Sequence, residues 1–284
     1  MHAIRKMIHA AVLVLSVAPA QAGPPDAIEW GYEGDRGPLH WGRLGQTFSL
    51  CEKGMAQSPI DLLRTHAIAL NDIQFSYKEA PFHVINNGHT LQEIEPLSEL
   101  VQSRYPQHGL TVRHYDNDST IMFDDDLYLL EQFHFHVPSE HTIDQQHFAM
   151  ELHLVHHNER HEAAVVAVLI KEGAHNEFFE TFLVHAPSHV GGVIDDQKHL
   201  FNPKDLLPKR RSYYRYFGSF TTPPCHEGVI WAVLHEPIEV SVEQIQKFRS
   251  LVGHDNARPP QPLHKRFVLE SQVQPKSVHA KEVR

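Results

Sequence analysis

The chain has 284 residues, with 25 Lys plus Arg against 35 Asp plus Glu for a formal charge of −10, and 41% of it is hydrophobic. This ordinary globular composition excludes wholesale disorder and a polytopic membrane protein. The acidic balance argues against nucleic acid as a main partner, because phosphate binding needs a Lys/Arg surface that releases counterions. Histidine is the outlier at 25 residues, which raises the prospect of metal or proton chemistry. It also cheapens any single motif, since chance alone supplies roughly two His-x-His pairs at this frequency.

The N-terminus has the pattern of a removable secretory address: Arg5 and Lys6, then an apolar run at 7–17 too short to span a bilayer comfortably, then Ala20-Gln21-Ala22 as a cleavage site. Cleavage after Ala22 is expected, leaving 23–284 as one domain, periplasmic or secreted, with no membrane span. That compartment is oxidising, so the two cysteines of the chain, Cys51 and Cys225, are expected to pair; two buried free thiols are the alternative. Residues 23–60 show no periodicity and are expected to wrap over the surface. Runs rich in β-branched and aromatic residues at 128–137, 148–156, 164–171 and 229–235 predict strands, and helical spacing predicts helices over 177–185 and 242–251. The reading is a mostly β, single-domain fold around a large mixed sheet with short surface helices.

The chemistry sits on two of these strands. In Gln132-Phe133-His134-Phe135-His136, the strand period of two puts Gln132, His134 and His136 on one face and both phenylalanines in the core behind it. The same period places Glu151, His153 and Val155 together on the next strand. If the strands are neighbours, His153 completes a triangle of three neutral ligands, the set of a catalytic rather than structural zinc site, and leaves the ion's double charge free to acidify a bound water to a pKa of about 7. Gln132 and Glu151 lie where each can accept the free ring N–H of a ligand histidine.

Together, QFHFHVPSEHTID, MELHLVHHN and GSFTTPPCHEGVIW, with QSPID, NNGHT and WGYEGDRGPLHW upstream, make the chain resemble the alpha-class carbonic anhydrases of the bacterial, secreted kind, from about Trp30 to Phe267. The resemblance implies a single domain around a twisted, mainly antiparallel sheet, and reversible hydration of carbon dioxide to bicarbonate and a proton. It implies one zinc ion per chain, held by His134, His136 and His153. It makes Thr221 a gatekeeper that donates to Glu140 and thereby orients the attacking hydroxide, with Thr222 beside bicarbonate. Val155, Val165, Phe220, Val229 and Trp231 match the apolar wall around carbon dioxide; the family most often has leucine where Phe220 stands. His89 matches the proton shuttle, and Tyr32, Asn87 and Gln92 match the positions that hold its water network. Bacterial members are often dimers, so a homodimer is a further expectation. Two rivals are a non-catalytic binding module on the same fold and a periplasmic zinc-buffering protein. No His-Glu-x-x-His or Gly-x-Ser-x-Gly motif supports a zinc protease or a serine hydrolase.

Overall fold

The computed structural model describes residues 28–63, 65–94 and 118–271; the secretory address expected at 1–22 lies outside them. Its strands in chain order are β1 (Thr65–Ile68), β2 (Gln74–Ser76), β3 (Ala80–Asn86), β4 (Leu91–Ile94), β5 (Thr120–Phe123), β6 (Asp126–His136), β7 (Thr142–Ile143), β8 (Gln146–His147), β9 (Met150–His157), β10 (Ala163–Glu172), β11 (Val193–Phe201), β12 (Tyr213–Ser219), β13 (Glu227–Val240) and β14 (Val268–Ser271). Twelve of them form one sheet in the order β1-β14-β12-β13-β10-β9-β6-β4-β3-β11, with β5 also pairing β6 and β2 pairing β5. The sheet is mixed: β1 with β14 and β10 with β13 run parallel, and the other pairings are antiparallel. The mostly β expectation and each of the four predicted strands are borne out.

Alternation along the central strands sorts side chains into two apolar layers. Phe133, Phe135, Leu152, Leu154, Val166 and Val168 belong to the larger one, behind the sheet. Val155, Val165, Ala167, Val229, Trp231 and Val233 belong to the smaller one, in front of it. The predicted helices form at Glu177–Val184 and Val242–Val252. Asn176 caps the first by accepting from the Phe179 N–H; Ser241 and Gln244 form a capping box on the second, which ends at Gly253 in the left-handed region, where glycine carries no steric penalty. Both bury aromatic faces behind β6: Phe179, Phe182 and Phe248 stand 5.0, 5.1 and 5.9 Å, ring to ring, from Phe135. The backbone carrying His134 and His136 therefore rests on a close-packed aromatic bed.

One irregularity decides which way the histidines face. Leu130 pairs with His156 but Gln132 pairs with Val155, so Glu131 is an extra residue in β6. Tyr128 and Leu130 consequently point into the rear layer, whereas Gln132, His134 and His136 point forward. A bulge beside a functional site re-aims side chains in this way; without it the forward face would continue through Leu130.

Residues 28–60 cover the front through short turns and two one-turn helices, Trp41–Leu44 and Leu50–Lys53. This covering is anchored rather than merely draped. Trp41 is fully buried, donates its indole N–H to the carbonyls of Gly31 and Arg36, and packs in one cluster with Cys51 and Cys225. The two cysteines form a disulfide across 174 residues, as expected. Intact mass and peptide mapping without reduction should show this bridge in the purified protein, and the Cys51→Ala/Cys225→Ala variant should lose about 2–5 kcal/mol of stability in chemical denaturation, the usual range for a native bridge closing a long loop. Unchanged stability would mean that the covering segment is held by its other contacts alone.

Candidate metal centre

The register β4-β6-β9-β10-β13 sets Gln92, His134, His153, Ala167 and Val233 in one row across the sheet, and Gln132, Val155, Val165 and Trp231 in the next. His134 and His153 are thus direct cross-strand neighbours, with His136 two residues along. One ligand atom from each of the three lies within 4.8 Å of the others. The opposite ring nitrogen of each imidazole is already engaged. His134 Nδ1 donates to Gln132 Oε1 at 2.7 Å, His136 Nδ1 to the Asn256 carbonyl at 2.7 Å, and His153 Nε2 to Glu151 Oε1 at 2.8 Å. In a neutral ring these donations leave His134 Nε2, His136 Nε2 and His153 Nδ1 as lone pairs, the tautomers that metal ligation needs. His136 Nε2 is buried with no hydrogen-bond partner. Burial holds all three rings below the ordinary histidine range, His136 at about 4, so they are uncharged at neutral pH. An unpartnered buried nitrogen and two converging lone pairs fit a divalent cation.

Glu151, fully buried, organises the surroundings. Its Oε2 accepts the backbone N–H groups of Glu140 and His141, each at 2.8 Å, and its Oε1 accepts from His141 Nδ1 at 2.6 Å as well as from His153. Burial raises its pKa, but His141 and His153 outweigh that and hold it well below the carboxylate range. His141 Nε2 in turn meets the Tyr216 hydroxyl at 2.7 Å, and Tyr216 meets Ser58 Oγ at 2.9 Å. Ser58 Oγ accepts from the backbone N–H of Ser219. The chain thereby reaches the segment that carries Thr221.

Glu140 is fully buried too, and its environment differs. Its Oε1 accepts the Arg258 backbone N–H at 2.8 Å, while Oε2 lies 3.5 Å from His136 Nε2 and 3.9 Å from His153 Nδ1. Burial pushes its carboxyl up to about 7, against the opposing pull of His153, the Arg258 N–H and the Thr221 hydroxyl. Thr221 is 5% exposed and stands beside this carboxylate, although Oε2 has no partner of good hydrogen-bond geometry. Val155, Val165, Val229 and Trp231 pack in one cluster, with Phe220 against it, and the Trp231 ring lies 4.9 Å from that of His153. The expected apolar wall is therefore assembled beside the imidazoles.

A cavity of about 120 Å³ opens on the other side of the triad, lined by Trp30, Tyr32, Asn87, His89, Gln92, His134 and Thr222 among others. His89 stacks flat on Trp30, ring centroids 3.7 Å apart. Asn87 accepts the His89 backbone N–H and donates to Gln92 Oε1. Burial, followed by the nearby His254, lowers the His89 pKa.

Three residues of this arrangement escaped the sequence reading. Asn256 is fully buried; besides accepting the His136 Nδ1–H at its backbone carbonyl it accepts the Val137 N–H at 2.8 Å and donates to the His89 and Phe135 carbonyls, each at 3.0 Å. Arg258 is buried with its guanidinium on the carbonyls of Ser58 and Cys51, and Trp30 supplies the stacking surface. The first two stand in a proline-rich loop whose local pattern carries no sign of either role.

The sequence pattern of the eukaryotic-type carbonic anhydrase family matches residues 36–272. This chain belongs to the alpha carbonic anhydrase family. Carbonic anhydrase from Klebsiella pneumoniae is 38% identical over 264 residues, 92% of this chain and 97% of that protein. Carbonic anhydrase from Pectobacterium atrosepticum is 37% identical over 248 residues, 87% of this chain and 93% of that one. Among solved structures, the alpha-carbonic anhydrase of Thermovibrio ammonificans in complex with sulfanilamide superposes with a TM-score of 0.76 at 37% identity, covering 86% of this chain and 99% of that one.

The dependence of the carbonic anhydrase imidazole triad on Glu151 can be tested directly. Glu151→Gln keeps the size but replaces one acceptor oxygen with a donor, which must clash with two of the four N–H groups now satisfied, whichever oxygen it replaces. Zinc affinity, measured by competition with a chelator, should fall by about 10–100-fold, as is usual when a partner of a metal-binding histidine is lost. Parent-like affinity would show that His153 is oriented by its packing alone.

Proposed function

We propose that this protein catalyses the reversible hydration of carbon dioxide to bicarbonate and a proton, using one zinc ion held by His134, His136 and His153. The observation that carries this reading is the convergence of three imidazole lone pairs whose opposite nitrogens are all engaged. Bound there, the ion would supply Lewis acidity that makes hydroxide available at neutral pH, and three neutral ligands leave its charge undiminished. The protein's own residues do the rest. Thr221, donating to Glu140, presents a lone pair toward the nucleophile and fixes its orientation. Val155, Val165, Val229, Trp231 and Phe220 give an apolar substrate a dry seat next to the ligands, and Thr222 meets the more polar product. Gln132 and Glu151 keep the ligand rings in register.

The reaction leaves one proton to be exported per turnover, and His89 is the group we assign to this. It sits at the wall of the cavity that also holds His134, and Tyr32, Asn87 and Gln92 line the same space for intervening water. A half-buried imidazole with a pKa lowered by its burial can accept a proton inside and release it to buffer. The presence of all three imidazoles speaks against a non-catalytic module. The disulfide supports a periplasmic or secreted location, and no helix among the described residues is long and apolar enough to cross a membrane.

Stopped-flow assay of carbon dioxide hydration should give an activity that is lost on chelation and restored by one equivalent of zinc. Thr221→Ala should keep the zinc and lower kcat/KM by about 10²-fold, the usual scale for one pre-organised hydrogen bond to a reacting group. Parent-like kcat/KM in that variant would remove Thr221 from the orienting role.

His89→Ala should lower kcat by about tenfold or more in weak buffer with kcat/KM nearly unchanged, because proton export limits turnover only at saturation. Added imidazole should restore most of the loss. A kcat that falls and resists every imidazole concentration would make His89 a structural residue.

A further inference from the structure

A second cluster of metal-ligating side chains lies on the outer edge of the sheet, away from the triad. His185 closes the helix Glu177–Val184, and its ring stacks on Phe82 of β3 at 4.7 Å and 4°. Phe82 is fully buried in the rear apolar layer, and in β11 it is Asp196 that stands opposite Phe82. Cross-strand pairing thus brings Asp196 beside His185. Between Asp196 and Leu200 the register slips, since Leu200 pairs with the very next residue, Pro81. The extra loop this creates folds His199 back over Asp196. The three ligand atoms lie within 4.8 Å of one another.

The hydrogen bonds around these side chains leave an electrostatic demand. His185 Nδ1 lies 2.8 Å from the Thr181 carbonyl. A carbonyl oxygen only accepts, so Nδ1 carries a proton. In a neutral ring Nε2 is then a lone pair, and it faces Asp196 Oδ2 at 3.1 Å. Two lone pairs at that distance repel unless a proton or a cation lies between them. The same Oδ2 meets His199 Nδ1 at 2.7 Å, while Oδ1 accepts the backbone N–H groups of Lys198 and His199. The His199 hydrogen bond, with those amides, holds the Asp196 carboxyl down to about 2. Among the described residues its ion-pair partners are the two imidazoles, so no Lys or Arg satisfies it instead.

We propose that His185, Asp196 and His199 form a second cation site, taking a borderline divalent transition ion such as zinc through two imidazole nitrogens and one carboxylate oxygen, with water in the remaining positions. Donor atoms around a tetrahedral zinc at about 2.0–2.1 Å stand roughly 3.3 Å apart, so the present separations of 3.1 and 2.7 Å require only a small opening. The supporting shell is built: the Thr181 carbonyl fixes one ring and two amides fix the carboxylate, the arrangement that orients ligands in metal sites. His199 is 62% exposed while Asp196 is 21% exposed, which gives the ion an entry from solvent and a partly sheltered seat. Such a site would clip the helix end to β11, the strand at the sheet's edge, and it is independent of whether the triad binds metal.

Isothermal titration of the full metal-depleted chain with zinc tests this. The parent should take up two equivalents of unequal affinity. His134→Ala should lose the tighter and keep the weaker; His199→Ala, whose exposed ring can be removed without disturbing the core, should weaken the second by at least about tenfold, and Asp196→Asn should do the same. The exposed His189, outside the cluster, serves as control, and His189→Ala should retain both. Excess zinc should also raise the Tm of the parent more than that of His199→Ala, because a ligand that binds only the native state stabilises it. Uptake of a single equivalent at about 100 µM free zinc, or a second equivalent that survives both His199→Ala and Asp196→Asn, would overturn the proposal and leave the cluster as a carboxylate shared by two imidazolium rings.

Discussion

Everything at the front of the sheet depends on one buried carboxylate. Glu151 has no exposure and accepts four hydrogen bonds, two from backbone amides and two from imidazoles. An ionised carboxylate moved out of water is destabilised by several kcal/mol unless its lone pairs are met, and four acceptor sites are its full capacity. Each of those bonds constrains something else. The bond from His153 turns its Nδ1 toward the other two imidazoles. The amide bonds fix the backbone of Glu140 and so aim its side chain beneath them. The bond from His141 extends through Tyr216 and Ser58 to Ser219, two residues before Thr221. One imidazole of the triad, a second carboxylate and the segment carrying Thr221 are thereby linked to one group at their centre.

The sheet supplies the stiffness this arrangement needs. His134 and His136 stand on a strand whose reverse face is clamped by aromatic rings from two helices, and His153 is paired directly opposite His134. Side chains held by a close-packed core keep their rotamers, so little reorganisation remains when charge is placed among them. The front layer is smaller and partly formed by residues far apart in sequence, with Arg258 bonded to carbonyls 200 and 207 positions away. The disulfide closes the same corner, joining Cys51, whose carbonyl Arg258 holds, to Cys225 in the turn that follows Thr221.

How much of this was legible in the sequence follows from the range of the interactions. Strand period alone put His134, His136 and His153 on matching faces and paired Gln132 and Glu151 with them, because alternation is a local property. The bulge at Glu131 was hidden, since one extra residue in an apolar run leaves no compositional trace; so was the true length of β13, which runs on through Pro237 to Val240 beyond the predicted 229–235. Edge strand β11 was missed because its largely exposed residues show no hydrophobic pattern. Glu140, Thr221 and His89 drew attention through family resemblance only, their local surroundings being those of ordinary loops. Asn256 and Arg258 act through backbone groups over a hundred residues away, and no period in the chain encodes that.

Two fully buried carboxylates stand beside the same histidines and have opposite fates. Glu151 has four donors and stays ionised well below the usual range, whereas Glu140 has one backbone donor on Oε1 and is pushed up to about 7. The difference does not lie in burial, which is equal, but in the neighbours: His141 and His153 act on Glu151 both electrostatically and through their ring N–H groups and outweigh burial, whereas His153, the Arg258 N–H and Thr221 do not outweigh it at Glu140. What Glu140 lacks is a donor at Oε2, and what the imidazoles beside it lack is a cation at their converging nitrogens. Positive charge at the nitrogens would favour the ionised form of Glu140, the form that accepts from the neighbouring Thr221 hydroxyl. In the proposed reading the Thr221–Glu140 pair and the imidazole triad are therefore electrostatically coupled, since both border the same converging nitrogens.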